Sequence, residues 1–153
     1  RITVMEKMKI LSLGCAALML IVAGSSFAQD RSYINPRNAS DSNVPPFSGA
    51  VQTGDTLYIS GMIGLVNGQV PDSAAEEARV LLDSIKSTVE EAGMTMDDLV
   101  YVQIFSSDVA DYDAFNSVYR TYFTQEYPAR AFIGVGTLLF NARFEIQSIA
   151  VRR

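Results

Sequence analysis

Residues 144–151 read FEIQSIAV, and this stretch near the end of the chain decides how the fold is built. Its alternation of apolar residues with others is typical of a β-strand. Side chains of a strand alternate between two faces, so Phe144 and Ile146 point one way while Ile149 and Val151 point the other. Because both sides are largely apolar, we predict a strand that is covered on both of its faces.

One charged residue interrupts this strand, and another interrupts the strand that precedes it. Glu145 lies in the last stretch, and Arg130 lies in residues 127–132, which read YPARAF. Charged side chains are rarely buried without a partner because their desolvation is unfavourable. The two groups are therefore either an ion pair across adjacent strands or groups held ready for a ligand. An arginine fork suits a carboxylate, and a glutamate can take a proton from water, so the second alternative indicates hydrolysis of a small anion.

The preceding sequence places two helices between the strands. Ser73 and Glu76 match a capping box, and apolar residues at helical spacing continue from there to a stop at Gly93. A second helix is predicted to begin at Asp111 or Asp113. The predicted order is β-β-α-β-α-β-β, with strands at residues 50–53, 56–60, 99–105, 130–135 and 143–151. This order favours an α+β fold with both helices on one face of the sheet.

The other face of this sheet is predicted to be an interface. Val102 and Ile104 oppose Tyr101 and Phe105, so a second strand is also apolar on both sides. Two helices can cover only one face. A symmetric homo-oligomer is the simplest source of cover for the other face.

The N-terminal residues are predicted to be a targeting segment. A positive start at Met8-Lys9 precedes an apolar run over residues 11–23 and small residues that end at Ala28. This pattern predicts a secretory signal over residues 1–28, including an upstream extension, with cleavage after Ala28 and a periplasmic or secreted product. The alternative is a retained membrane anchor. The polar residues 29–43 are predicted to be a flexible leader, and residues 44–153 the folded domain.

Composition excludes several kinds of chemistry. The chain of 153 residues has no histidine, and its single cysteine, Cys15, lies in the predicted signal. The predicted domain therefore lacks disulfides, thiol catalysis and the commonest metal ligand. The net charge of −5 disfavours a phosphate backbone as a partner, so we expect no nucleic-acid binding.

Four segments together resemble the RidA (YjgF) family of enamine/imine deaminases: residues 56–61, 115–119, 128–130 and 144–153. The resemblance extends over residues 43–153. It implies a chorismate-mutase-like fold with a mixed sheet. It also implies a homotrimer with active sites between subunits, and hydrolysis that requires no metal or organic cofactor.

The resemblance also implies roles for individual residues. Arg130 corresponds to the arginine that binds the substrate carboxylate, and Glu145 to the glutamate that positions the attacking water. The backbone at Phe132 corresponds to a carbonyl that helps to hold this water. The residues placed at the substrate are Arg130, Phe47, Ser60, Asn116 and Phe132.

Several positions depart from the family pattern and leave the substrate range open. Phe47 stands where many members have a tyrosine, so one hydroxyl is lost, and Gln147 replaces a second acidic residue. Other departures are Met62, Gly64 and Leu139.

Each pocket assignment has a purely structural alternative. Ser60 would then simply end a strand, and Asn116 would hydrogen-bond a neighbouring loop. Phe47 would cap the hydrophobic core, to which Tyr119 is also expected to belong.

Three classes of function follow. The first is hydrolytic deamination of 2-imino or enamine acids to 2-oxo acids and ammonia. The second is a non-catalytic trimer that binds small carboxylates. The third is RNA cleavage, which the acidic charge and the absence of histidine disfavour. Glu145 discriminates between the first two, because a carboxylate beside an anionic ligand serves water activation better than binding.

Overall fold

The computed structural model of the protein describes residues 30–153. The predicted signal and its alternative, a retained anchor, lie outside the described residues. No helix within residues 30–153 is long and apolar enough to cross a membrane.

The described chain forms a six-stranded sheet and two α-helices, linked by turns and short 3-10 helices. The strands are β1 (Arg31–Ile34), β2 (Ala50–Thr53), β3 (Thr56–Ile63), β4 (Leu99–Ser106), β5 (Ala129–Gly134) and β6 (Phe144–Val151), and the helices are α1 (Ala74–Glu91) and α2 (Tyr112–Tyr119). All the predicted strands and helices are present, with small shifts in their boundaries.

The strand order across the sheet is β1-β2-β3-β6-β4-β5. β6 lies between β3 and β4 and is antiparallel to both, whereas β4 and β5 are parallel. The sheet is therefore mixed, and its last strand in sequence occupies a central position. Phe144 and Ile146 are buried on one face, whereas Ile149 and Val151 are half-buried on the other, as predicted.

α1 begins and ends where the sequence predicts. The Ser73 hydroxyl accepts a hydrogen bond from the backbone N–H of Glu76 at 3.2 Å, and Gly93 follows the helix with φ of +69°. The helix buries an apolar stripe against the sheet. Burying one of its Leu, Ile or Val side chains contributes about 1.5–3 kcal/mol. The stripe consists of Ala78, Leu81, Leu82, Ile85 and Val89.

α2 packs beside α1 on the same face of the sheet, through Phe115. The Phe115 ring centroid lies 4.9 Å from that of Phe144 in β6 and 5.7 Å from that of Phe132 in β5. Residues of both helices and of the sheet form one hydrophobic core. The predicted α+β fold with two helices on one face is confirmed.

One buried carboxylate that the sequence did not reveal joins α1 to β6. Glu77 is fully buried, and its Oε1 accepts hydrogen bonds from the backbone N–H groups of Arg143 at 2.7 Å and Phe144 at 3.0 Å. Its Oε2 accepts a charge-assisted hydrogen bond from Arg143 Nη1 at 2.9 Å. Three donors offset the desolvation of the charge, so Glu77 fixes the position at which β6 begins.

β1 corrects the prediction that residues 29–43 form a flexible leader. Arg31–Ile34 pairs antiparallel with β2, so that Ile34 lies opposite Ala50. In β1 only Ile34 is buried, because the strand lies at the edge of the sheet. A short edge strand with one buried side chain has no apolar alternation from which a strand can be predicted.

The face of the sheet opposite the helices, here named the open face, is covered by no helix of residues 30–153. Tyr58, Ile149 and Tyr101 are Cα partners across β3, β6 and β4, so they form a row on this face. Tyr58 is 50% exposed and Tyr101 is 37% exposed. Apolar rows of this kind are typical of an interface. The oligomer that would cover this face stays a prediction.

Candidate functional site

Arg130 is the centre of an arginine cleft on the helix side of the sheet. It lies in β5 opposite Val102, which is buried beneath the helices. Its Nη1 donates a hydrogen bond to Asn116 Oδ1 at 2.7 Å, and its Nη2 donates one to the Tyr112 hydroxyl at 3.3 Å. The guanidinium lies 4.8 Å from the centroid of the Tyr119 ring, which is a cation–π distance. These contacts fix the plane of the guanidinium without neutralising its charge.

The cleft around Arg130 has a volume of about 230 Å³. It is open to solvent, and part of its wall is aromatic. A small carboxylate could therefore reach the guanidinium from one side while ring faces shield the other. The lining residues are Tyr112, Asn116, Tyr119, Arg120, Tyr127, Pro128 and Arg130.

Asn116 contributes to this cleft from α2. Its side chain is largely buried, and its carbonyl oxygen accepts the short hydrogen bond from Arg130. The sequence left open a pocket role or a bond to a neighbouring loop. In the structure Asn116 lines the cleft and accepts its hydrogen bond from Arg130, and its contact with a substrate stays a prediction.

Tyr119 belongs both to the core, as expected, and to the cleft. It is 3% exposed, and its ring stacks on that of Phe115 with centroids 5.7 Å apart. Burial raises the pKa of the Tyr119 phenol well above its usual value, although the charge of Arg130 opposes this effect. The phenol is therefore neutral, and its buried oxygen has no hydrogen-bond partner among the described residues.

Glu145 lies on the other side of the sheet. Its Cα partners are Ile63 in β3 and Phe105 in β4, and its neighbour Ile146 is buried beneath the helices. Its side chain therefore points to the open face, where it occupies the space beside Gly61. A Cβ on Gly61 would lie 2.2 Å from Glu145 Oε1, so this position requires glycine if Glu145 is to keep its place.

Gly61 and Ser60 lie in an irregular part of β3, where the register with β6 shifts between Ile59 and Met62. The Ser60 hydroxyl donates a hydrogen bond to the backbone carbonyl of Ser48 at 2.7 Å. This bond ties the bulge to the segment before β2. Ser60 is not at the end of its strand, because β3 continues to Ile63.

Phe47 and Phe132 lie in different surroundings. Phe47 is 55% exposed, so it does not cap the core of this protomer, and it does not line the arginine cleft. The Phe132 ring packs against Tyr112 with centroids 5.0 Å apart, on the helix side of the sheet. The water-binding role of the backbone at Phe132 stays a prediction.

The predicted site residues thus form two groups. Arg130, Asn116 and Phe132 lie on the helix side, whereas Glu145 lies on the open face beside the β3 bulge that carries Ser60. The ion pair across adjacent strands is wrong, since β4 separates β5 from β6 and the two side chains point to opposite faces. We refer to the two groups as the arginine cleft and the glutamate group.

Four further lining residues, Tyr112, Arg120, Tyr127 and Pro128, were not predicted from the sequence to be site residues. Tyr112, Asn116 and Arg120 follow one another at intervals of four along α2 and its extension, so helical spacing from Asn116 could have found the other two. Tyr127 and Pro128 precede β5 directly. Within residues 30–153 no cluster of acidic side chains is arranged to hold a metal ion.

This combination of a mixed sheet, two helices on one face and an arginine cleft at β5 defines an α+β protein of the RidA/YjgF type. The chain belongs to the Endoribonuclease L-PSP family, whose pattern matches residues 38–152. A 2-iminobutanoate/2-iminopropanoate deaminase of Dermatophagoides farinae is 40% identical over 111 residues, which cover 71% of this chain and 87% of that protein.

Two solved structures have the same fold. The YjgF gene product of Escherichia coli superposes with a TM-score of 0.71 at 32% identity, covering 80% of this chain and all of that one. TdcF of Escherichia coli, solved with bound serine, gives a TM-score of 0.71 at 28% identity, with the same coverage. The fold and the family predicted from the sequence are therefore confirmed.

Proposed function

We propose that the protein hydrolyses 2-imino acids, and the enamines in equilibrium with them, to 2-oxo acids and ammonia. The observation that carries the proposal is the Arg130 guanidinium, held by Asn116 in a cleft of a chain that is similar to named imine deaminases. The relative TdcF was solved with serine, a small molecule that also carries a carboxylate. We propose that the carboxylate of the substrate binds at Arg130 through charge-assisted hydrogen bonds.

The first step is fixation of the substrate. Arg130 donates to Asn116 and Tyr112 through two of its five N–H groups, and the others remain available to a carboxylate. A planar fork that cannot rotate holds both carboxylate oxygens and hence fixes the direction of the adjacent C=N bond. Orientation of this kind lowers the barrier because a freely tumbling substrate rarely presents its carbon to the water.

The second step is addition of water. Glu145 accepts a proton from the water as the water oxygen bonds to the C=N carbon, and it returns this proton to the nitrogen, which gives a carbinolamine. Glu145 then transfers the hydroxyl proton of the carbinolamine to its nitrogen, so that the C–N bond breaks, ammonia leaves and the hydroxyl oxygen becomes the carbonyl oxygen of the 2-oxo acid. The imine carbon is already electrophilic, so acid–base chemistry is enough and we propose no metal or organic cofactor.

The two groups of site residues can act on one substrate only when a second copy of the chain supplies one of them. We propose a homotrimer in which the arginine cleft of one protomer faces the glutamate group of its neighbour. The row formed by Tyr58, Ile149 and Tyr101 on the open face supports this assembly, because such a row is unfavourable in water. Export to the periplasm or the medium is part of the proposal and depends on the predicted signal.

A non-catalytic carboxylate-binding protein is the second candidate. It is favoured by the separation of Glu145 from Arg130, since no carboxylate lines the cleft around Arg130 within a single protomer. RNA cleavage, which the family description suggests, is disfavoured by the net charge of −5.

The test is a coupled assay. An amino-acid oxidase generates a 2-imino acid in situ, and ammonia release is followed with and without the purified protein. Acceleration above the spontaneous rate supports the deaminase. If no imino acid is hydrolysed faster while 2-oxobutanoate still binds in calorimetry, the deaminase proposal fails and the binding protein takes its place.

A further inference from the structure

The arginine cleft contains a second arginine that the reaction described above does not use. Arg120 lines the cleft together with Arg130. It is four residues after Asn116, the hydrogen-bond partner of Arg130, so it lies about one helical turn away on the same side of the helix. Its side chain is exposed, and it makes no hydrogen bond or ion pair with a side chain among the described residues.

The charge of the cleft is opposite to that of the whole protein. The chain has a net charge of −5, but the residues that line the cleft include two arginines and no carboxylate. Arg130 is held by an amide and a phenol, which are both neutral. The two positive charges are therefore uncompensated within the described part of the chain, and like charges in one cleft repel each other unless an anion binds between them.

We propose that Arg120 binds a second, distal anionic group of the substrate, so that the preferred class is dicarboxylic 2-imino acids. This inference rests on the proposed deaminase function. The 2-carboxylate binds at Arg130, and a short carbon chain along Tyr127 and Pro128 brings the distal carboxylate to Arg120. The distal carboxylate makes and breaks no covalent bond, and its role is to raise affinity and fix position.

The structural alternative for Arg120 is stabilisation of the C-terminus of α2. A cation near the end of a helix interacts favourably with the helix dipole. That role would change thermal stability and would affect all substrates equally. A specificity role affects dicarboxylic substrates alone, so the two roles are separable by kinetics.

The experiment compares Arg120→Gln with a matched control, Arg79→Gln. Arg79 is an exposed arginine on α1 that does not line the cleft. Oxidases acting on glutamate or aspartate supply dicarboxylic imino acids, and oxidases acting on alanine or 2-aminobutyrate supply monocarboxylic ones. We expect the wild type to have the higher kcat/KM on the dicarboxylic set. Arg120→Gln should lower that value about threefold to tenfold, since the charge is partly solvated. Activity of this variant on the monocarboxylic set, and of Arg79→Gln on both sets, should be unchanged.

Two results would overturn this inference while leaving the deaminase in place: equal wild-type activity on both sets, or equal loss on both sets in Arg120→Gln. If no imino acid is hydrolysed at all, the proposed deaminase function is refuted. Calorimetry with 2-oxoglutarate and 2-oxobutanoate then tests whether Arg120 binds a second carboxylate. Tighter binding of 2-oxoglutarate that disappears in Arg120→Gln would support the second anion site, and equal binding of the two acids would refute it.

Discussion

Arg130 and Glu145 lie on opposite faces of one sheet, with β4 between their strands. Arg130 is anchored to Asn116 on the helix side, whereas Glu145 lies beside Gly61 on the open face. No rotamer of either side chain can pass through a paired sheet. The two groups can therefore act on one substrate only if different protomers supply them.

The first prediction concerns Arg130. Arg130→Ala removes the fork that holds the substrate carboxylate, and Arg130→Lys retains only a point charge. Loss of a charge-assisted pair is worth about 2–5 kcal/mol, so kcat/KM should fall by roughly thirtyfold to several thousandfold in both variants. Steady-state ammonia release measures this. A lysine variant with wild-type kcat/KM would show that orientation by the fork is irrelevant.

The second prediction concerns Gly61. In Gly61→Ala the new Cβ would lie 2.2 Å from Glu145 Oε1, so the glutamate side chain must move while the backbone stays. Displacement of a water-positioning group by about 1 Å lowers kcat by roughly tenfold to a hundredfold. The control is Gly136→Ala, whose Cβ meets no atom within 4 Å. Full activity of Gly61→Ala at unchanged melting temperature would argue against a role for Glu145.

The third prediction concerns pH. The Asp97 carboxylate accepts hydrogen bonds from the Thr124 hydroxyl, from the Thr124 backbone N–H at 2.9 Å and from the Gln125 backbone N–H at 3.3 Å. The hydrogen bond from the Thr124 hydroxyl has the largest effect, and the two backbone N–H groups add to it. Together these bonds lower the pKa of the Asp97 carboxyl below its usual value of 3.8. A lowered folded-state pKa gives stability that is present above the unfolded pKa and is lost as pH falls through the folded value.

Asp97→Asn should therefore lower the melting temperature at pH 7, and its difference from the wild type should shrink once the pH falls below 3.8. Glu126→Gln, an exposed change next to Tyr127, serves as the control. If the melting temperatures of Asp97→Asn and the wild type differ by the same amount at pH 7 and at pH 2.5, this assignment is contradicted, because pH 2.5 lies about one unit below the unfolded-state pKa of Asp.

The fourth prediction concerns assembly. The wild type should sediment as a trimer at micromolar concentration. Ile149→Lys places a charge in the centre of the row between Tyr58 and Tyr101, so it should shift the protein to monomers that keep the circular dichroism of the fold. A wild-type monomer, or an Ile149→Lys trimer, would remove the support for a shared site.

Much of the fold could be predicted because its elements carry local signals. The alternation in residues 144–151 and the cap at Ser73 depend on neighbouring residues, and both are found where they were predicted. β1 was missed because one buried residue, Ile34, makes no pattern. Glu77 was missed because its partners, Arg143 and the Phe144 backbone, are distant in sequence.

The residues of the candidate site were predictable individually, but their arrangement was not. The sequence order of β5 and β6 suggested neighbouring strands and hence an ion pair. The insertion of β4 between them is a property of the whole sheet, which depends on long-range pairing. Arg120 and Tyr112 could be assigned to the cleft only once the position of α2 relative to β5 was known.

The most direct test of the shared site mixes two variants that each lack one of its groups and are each expected to lose most activity, Arg130→Ala and Glu145→Gln. Differently tagged chains are expressed together, and oligomers carrying both tags are purified and assayed for ammonia release. If each site combines an arginine cleft and a glutamate group from different protomers, one of the three interfaces in every trimer that carries both tags regains both groups, and activity returns to about a third of the wild-type value. Mixed trimers that remain as inactive as their parents would contradict the shared site.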